Sequence, residues 1–310
     1  VKDGVNLRTE DTKRCLDELI RVANEEKPDY SIVSGDIFHV GRLWSDRCCE
    51  EIITAIHYIR ELAAVSKQVV VMRGTPNHDG SGQFNVLSEM FADVPNVHVV
   101  ITTQVISFDD VDIAVLQGFD RGVFRANHPG LSSDEENVVF TNELSNIVTG
   151  LKAQCSPEKK SILMAHYTVP GCNTESGQTM MLTQFEPIIP QEALLAANYN
   201  LVALGHIHRP QKIMHRDWYY SGAINAMNFN DEGQQRGFWI HNWHELGTWQ
   251  SIFHETPIRE FATIELNDDD VTQINMQAMD FVATEKWRGQ IDGKIVRVHY
   301  SCTAENSKAL

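Results

Sequence analysis

No Cys-X-X-Cys spacing occurs in the 310 residues, although six cysteines are present: Cys15, Cys48, Cys49, Cys155, Cys172 and Cys302. That argues against a zinc knuckle and against a disulfide framework, and leaves free thiols in a reducing cytoplasm as the simplest reading. No apolar run approaches the roughly 20 residues that span a bilayer, and the first residues show no signal-peptide pattern, so no membrane role is expected. Internal repeats and low-complexity tracts are also missing. Positive charge is scarce: 26 Lys and Arg stand against 42 Asp and Glu, for a net charge of −16. That sign excludes holding nucleic acid by bulk electrostatics alone. It suits a carboxylate-rich cation site, or a subunit whose partner supplies the basic surface, although most acids on a soluble protein form a solvated face. What is present is ordinary for a globular chain: 42% hydrophobic and 22% charged residues, enough to bury a sizeable core.

Apolar residues recur at helical spacing within Thr9–Lys27, through Cys15, Leu16, Leu19, Ile20, Val22 and Ala23, and Pro28 closes that helix. Tyr30–Ser34 and Gln68–Met72 read as strands, with helices over Ser45–Val65 and Ser81–Phe91. This alternation is the signature of a sheet layered by helices. The middle reads as more antiparallel, with short strands at Val97–Ile101, Gln104–Phe108 and Asp112–Leu116. Ser132 and Glu135 are spaced as a capping box for a helix reaching about Ala153. Ser161–Ala165 is a further strand, Gln191–Ala197 a short helix, and Gly237–Trp243 with Thr248–His254 a hairpin around Glu245-Leu246-Gly247. Beyond Thr256-Pro257 the composition shifts, and Glu260–Leu266 and Lys294–Tyr300 read as strands of a second, smaller unit.

His206 and His208 stand two apart in Leu204-Gly205-His206-Ile207-His208-Arg209-Pro210, after the apolar strand Leu201–Leu204. If the backbone stays extended past Gly205, both imidazoles project the same way. Such a pair can serve one metal, or two held side by side. Three other polar clusters follow strands: Gly35-Asp36-Ile37-Phe38-His39, Gly74-Thr75-Pro76-Asn77-His78-Asp79, and Ala165-His166. Ligands of open α/β sheets gather at that edge. Carboxylate, amide and imidazole donors suit Mn²⁺, Fe²⁺ or Zn²⁺ better than Ca²⁺. Singly, each cluster has an ordinary reading: Gly-Asp as a turn, Asn-His-Asp as a loop with Asx hydrogen bonds, a lone His as a satisfied structural residue. Their joint occurrence at strand ends favours a metal site.

In this order, Gly35-Asp36, Asn77-His78-Asp79, His166 and Gly205-His206-X-His208 resemble the calcineurin-like metallophosphoesterase superfamily. Within it, three stretches resemble the SbcD-type nuclease subunits: Gly35-Asp36-Ile37-Phe38-His39; Ala203 to Gln211 around Gly205-His206-Ile207-His208; and Tyr220-Ser221-Gly222-Ala223-Ile224 followed by Glu232-Gly233 and Arg236-Gly237-Phe238. The resemblance implies an α/β fold of two facing mixed β-sheets flanked by helices, with a small α+β capping domain. Residues 1–256 would form the metallophosphoesterase domain and 257–310 the start of a truncated capping domain. It further implies a two-metal phosphodiesterase, Mn²⁺ foremost with Mg²⁺, Fe²⁺ or Zn²⁺ as alternatives. The substrate would be DNA, the partner an SbcC-type ATPase subunit, and the assembly a homodimer. Asp36 would bridge the metals, Asn77, His166 and His206 would complete one shell, and His208 would serve the other. His78 would stand beside the scissile phosphate and Asp79 would orient it by a hydrogen bond. His39 would lie near the phosphate, and Arg209 is a candidate phosphate contact.

Two departures from the family pattern bear on chemistry. The family's opening strand, ending in Asp-X-His, is not found ahead of Asp36, and the chain starts at Val1-Lys2-Asp3-Gly4. The expectation is a sequence truncated at its N-terminus, whose second metal site keeps only Asp36 and His208. Thr75-Pro76 is also inserted between Gly74 and Asn77, lengthening that loop. The rival readings are a phosphodiesterase for a small nucleotide and a non-catalytic scaffold subunit. Trp218, Tyr219 and Tyr220 and the other histidines read as packing and surface residues.

Overall fold

The computed structural model describes residues 6–39, 46–118, 120–174, 187–244, 247–271, 285–301 and 303. Val1–Gly4, the turn residues Glu245 and Leu246, and Cys302 lie outside the described residues. Strands β1 (Tyr30–Val33), β2 (Gln68–Met72) and β3 (Val97–Val100) make a parallel sheet in that order, with Ile32 opposite Val70 and Val71 opposite Val99. The second sheet contains β4 (Gln104–Ser107), β5 (Val111–Leu116), β6 (Lys160–His166), β7 (Leu201–Gly205), β8 (Gln211–Lys212) and β9 (Trp218–Tyr220), ordered β4-β5-β6-β7-β9-β8.

Strand alternation dictates the layering. Val69 and Val71 face helices α1 (Leu7–Glu26), α2 (Asp46–Val65) and α3 (Ser81–Met90), where they meet Ala23, Ile59, Leu62, Phe84 and Leu87. Their neighbours Val70 and Met72 point the other way, onto Ile113, Val115, Ile162 and Met164 of the second sheet. That sheet turns Ala114, Leu116, Leu163 and Ala165 outward onto further helices. The two sheets therefore face each other with helices outside, as an α/β/β/α stack. Each fully buried aliphatic side chain contributes about 1.5–3 kcal/mol to this arrangement.

The outer helices on the second sheet are α5 (Ser133–Gln154) and α6 (Gln191–Ala197), preceded by α4 (Arg121–Asn127). The Ser132 and Glu135 capping box is present at the start of α5. Helix α4 was not expected; it begins where the Asp120 carboxylate caps the amides of Gly122 and Val123. The antiparallel reading of the middle holds for β4 with β5 and is corrected for β3, which pairs in parallel with β2 in the first sheet. Only the edge pairs β4–β5 and β8–β9 are antiparallel, while β5, β6, β7 and β9 run parallel. The helices between them supply the long crossovers that parallel pairing needs.

A hairpin of β10 (Gly237–Trp243) and β11 (Trp249–Glu255) follows. Then β12 (Phe261–Leu266), α7 (Glu285–Ile291) and β13 (Ile295–Tyr300) form a small parallel unit with its own core of Ile264, Leu266, Val271, Trp287 and Ile291. Cys15, Cys49, Cys155 and Cys172 are free thiols. No helix among the described residues is long and apolar enough to cross a membrane.

Candidate metal centre

The C-terminal ends of β1, β2, β6 and β7 converge where the two sheets touch. The joint is His166, whose Nδ1 lies 2.7 Å from the carbonyl oxygen of Ser34. A carbonyl can only accept, so Nδ1 carries the proton and Nε2 is left to face Asp36, 3.0 Å from Oδ2. An imidazole that donates one N–H to a backbone carbonyl has the tautomer and orientation typical of a metal ligand. The approach is so close that only glycine fits at two of the strand ends. A Cβ on Gly205 would stand 2.0 Å from Ser34 O, and one on Gly74 would stand 2.3 Å from the Asp36 amide nitrogen.

Two of the proposed ligands have left-handed backbone: Asp36 at φ 52 and His206 at φ 88. Such conformations cost about 1–3 kcal/mol each and persist where surroundings over-determine them. Asp36 is held in this way. Its amide donates to Asp79 Oδ2 (2.7 Å), and its Oδ1 accepts from the Thr75 amide (2.8 Å) and hydroxyl (3.0 Å). The φ at His206 corrects the expectation that the strand stays extended past Gly205. β7 ends at Gly205 and the chain turns at His206, so His206 and His208 are not neighbours on one strand face.

Asp36, His166 and His206 offer ligand atoms that all lie within 4.8 Å of one another. The rings of His166 and His206 meet edge to face, with centroids 5.3 Å apart. Burial alone would raise the Asp36 carboxyl, but His166 beside it holds it well below the usual carboxylate range. Burial would likewise lower His166, and the Asp36 charge outweighs it and raises the imidazole. The attraction that would keep a proton between these groups would equally hold a divalent cation. One carboxylate and two imidazoles fit a transition-metal ion. His208 lies outside this trio; its Nδ1 is buried without a hydrogen-bond partner, and burial lowers its basicity.

The Gly74–Asp79 loop departs from expectation in detail. Thr75, directly after Gly74, is the residue against Asp36. Asn77 is exposed on a turn in which the His78 and Asp79 amides both donate to Thr75 O, at 3.1 and 2.7 Å. The expected hydrogen bond from Asp79 to His78 is replaced by another division of labour. Asp79 is fully buried, and its oxygens accept from the amides of Asp36 (2.7 Å), Gly74 (2.7 Å) and Phe38 (3.1 Å). Those amides would otherwise be orphaned donors, so the carboxylate is fully engaged in pinning the two loops. Burial pushes its pKa up to about 6. His78 is instead held by the carbonyl of His39, which accepts from Nδ1 at 2.9 Å and anchors the ring through that nitrogen. The exposed His39 ring stands 6.3 Å from that of His78. Arg209 is half-buried and offers its carbonyl to Gln211 Nε2 at 3.1 Å.

Sequence reasoning missed Ser34, Thr75 and Arg73. Arg73 Nε donates to Asp79 O at 2.9 Å and its Nη2 lies 3.6 Å from Asp120, so it braces the loop from behind. Position was the available signal for Thr75, which follows a glycine at a strand end. Nothing in the sequence marks the Ser34 carbonyl.

Residues 8–210 match the family model described as Calcineurin-like phosphoesterase. The chain is 22% identical over 271 residues to the SbcD component of the nuclease SbcCD of Staphylococcus epidermidis, covering 85% of this chain and 69% of that protein. It is 23% identical over 271 residues to the corresponding component of the nuclease SbcCD of Staphylococcus saprophyticus, covering 86% of this chain and 69% of that protein. Among solved structures, GAP50, the anchor in the inner membrane complex of Plasmodium, aligns over 80% of each chain at 12% identity with a TM-score of 0.46. The family match spans more than half of the chain and includes every strand end that builds the centre, and the chain belongs to the calcineurin-like phosphoesterase family.

Proposed function

We propose that this protein is a metal-dependent DNA nuclease that hydrolyses phosphodiesters at DNA ends as the SbcD-like subunit of a complex with an SbcC-type ATPase. The observation that carries the reading is the convergence of Asp36, His166 and His206 near His78, whose ring is anchored through Nδ1. Likeness to the SbcD components of two SbcCD nucleases supports DNA as the substrate. The net charge of −16 supports a division of labour in which the partner adds DNA-binding surface.

Asp36, Asn77, His166 and His206 would hold one divalent ion, Mn²⁺ foremost, and Asp36 with His208 would contribute to a second. When bound, such ions neutralise charge on the phosphate and make a water nucleophilic at neutral pH. The chain's own residues do the rest. Thr75 fixes the Asp36 carboxylate in one orientation through its amide and its hydroxyl. Asp79 ties the Asp36 loop to the Gly74 turn, so that metal donors and His78 keep a set separation. His78, anchored at Nδ1, would protonate the leaving oxygen from Nε2 when the ring carries a second proton there, and that N–H would stabilise the pentacoordinate phosphorus. Residues 257–310 would begin the capping domain, a reading supported by their separate small core.

The test uses the full-length protein with Mn²⁺, with and without its ATPase partner. Linear duplex DNA, bis-p-nitrophenyl phosphate and cyclic nucleotides are compared, with Asp36→Asn as the control. Cleavage of duplex DNA that is lost in Asp36→Asn is expected. Turnover of cyclic nucleotides with intact DNA would make it a small-nucleotide phosphodiesterase, and bound metal without any hydrolysis would make it a scaffold.

A further inference from the structure

The segment between β9 and β10 supplies none of the proposed ligands, yet it contains an ion pair withdrawn from solvent at both ends. Arg236 Nη2 lies 2.6 Å from Asp231 Oδ1, and both side chains have 0% exposure. Burying two charges is expensive, and an apolar pair of similar volume would stabilise a core at least as well. The pair is therefore better explained by what it positions than by what it stabilises.

Its connections lead to His208. Asp231 Oδ2 accepts from the amides of Met227 (2.6 Å) and Asn228 (3.3 Å), closing the short turn at Phe229–Asp231. Arg236 Nη1 donates to its neighbour Gln235 O at 2.7 Å. Arg236 O accepts from the Thr256 amide at 2.9 Å, and the Thr256 hydroxyl donates to Ile224 O at 2.7 Å. The loop is thus closed on itself. Its other end lies on the His208 backbone: the Ala223 amide donates to His208 O at 3.0 Å. Gly222 sits so close that a Cβ there would stand 2.7 Å from Pro210 N and 2.8 Å from His208 O. The charges of Asp231 and Arg236 reach the His208 ring, whose Nδ1 is buried without a hydrogen-bond partner. The ring thus lacks the carbonyl anchor that fixes His166 at Nδ1.

We propose that Asp231 and Arg236 are positioning residues for His208: the buried pair holds the loop from 222 to 231 against the His208 backbone and so sets where that imidazole stands relative to Asp36. The inference rests on the reading of His208 as a donor of the metal centre. Long-range ¹H–¹⁵N correlation spectra of the metal-free full-length protein test it, with ring signals assigned through His166→Gln, His206→Gln and His208→Gln. In Arg236→Met, the His208 ring signals should shift or broaden while those of His166 and His206 stay in place. Arg236→Lys, which keeps the charge, should return them toward the original position. If Arg236→Met fails to fold because Asp231 is left buried and unpaired, Asp231→Leu/Arg236→Met removes both charges and should show the same selective change. An unmoved His208 signal in a folded variant, joint movement of all three rings, or failure of both variants to fold would overturn the proposal. Adding Zn²⁺ to the unaltered protein checks the metal reading separately. Unshifted histidine signals there would sink that reading, whatever Arg236→Met does.

Discussion

Adding one methyl group at Gly205 should separate the two sheets at the point where they share a histidine. A Cβ there would stand 2.0 Å from Ser34 O and 2.6 Å from His166 Nδ1. Reaching ordinary van der Waals contact requires the end of β7 to retreat from Ser34 by more than about 1 Å. The 2.7 Å bond between His166 and Ser34 cannot survive that movement. Losing a buried hydrogen bond costs about 1–3 kcal/mol, and overpacking costs about 1–3 kcal/mol more. Gly205→Ala is therefore expected to lose about 2–6 kcal/mol of stability by urea unfolding without metal. A metal-binding histidine freed from its carbonyl partner typically loses 10- to 100-fold in affinity, and calorimetric titration with Mn²⁺ should show a loss in about that range. Gly150→Ala is the control. It lies in α5 with nothing within 4 Å of a built Cβ, and should gain about 0.5–1 kcal/mol with unchanged metal binding. A Gly205→Ala protein that binds Mn²⁺ normally and melts like the parent would refute the reasoning.

His78→Gln should bind Mn²⁺ within about twofold of the parent yet lose about 10²–10⁴-fold in hydrolysis of bis-p-nitrophenyl phosphate, as expected for a proton donor rather than a ligand; loss of metal instead would make it a ligand. Asn77→Ala should weaken Mn²⁺ binding more than Thr75→Ala, because the Thr75 side chain bonds to Asp36; the reverse order in calorimetry would transfer the donor role to Thr75. Burial among Tyr219, Trp239 and Trp249 lowers His241 from the ordinary 6.5 to about 4. As pH falls, the unfolded chain takes up this proton first. The stability contributed by the neutral ring is thus full above about pH 6.5 and falls by up to about 3 kcal/mol as pH drops to 4. His241→Phe should remove that part of the pH dependence of the urea midpoint, and an unchanged slope would contradict the assignment.

The strand ends were legible because their chemistry is local. An apolar run followed by Gly-Asp, Gly-X-X-Asn-His-Asp or His-X-His can be read without knowing what lies opposite. The same holds for the capping box at Ser132 and Glu135, whose partners are three residues apart. What could not be read depends on distant contacts. Asp79 is adjacent to His78 in sequence, which invited a direct hydrogen bond, but its oxygens serve amides as far away as Asp36 and Phe38, more than 40 residues distant. The left-handed turn at His206 is a tertiary fact, set where Gly205 approaches Ser34 of the other sheet too closely for any side chain. The placement of β3 was hidden because its short link to β4 looks like a hairpin, whereas β3 pairs in parallel with β2 of the other sheet. Arg236 and Asp231 read as part of a family-like stretch, but their burial and mutual contact are tertiary facts.

Anomalous scattering at the manganese edge, from crystals of the full-length protein grown with Mn²⁺, tests the metal centre most directly. The predicted result is an ion bonded to a carboxylate oxygen of Asp36, to Nε2 of His166 and to a ring nitrogen of His206, with the Nδ1 of His166 still on Ser34 O. Manganese bound elsewhere at saturation, with Asp36 and His166 keeping their direct 3.0 Å contact, would contradict it.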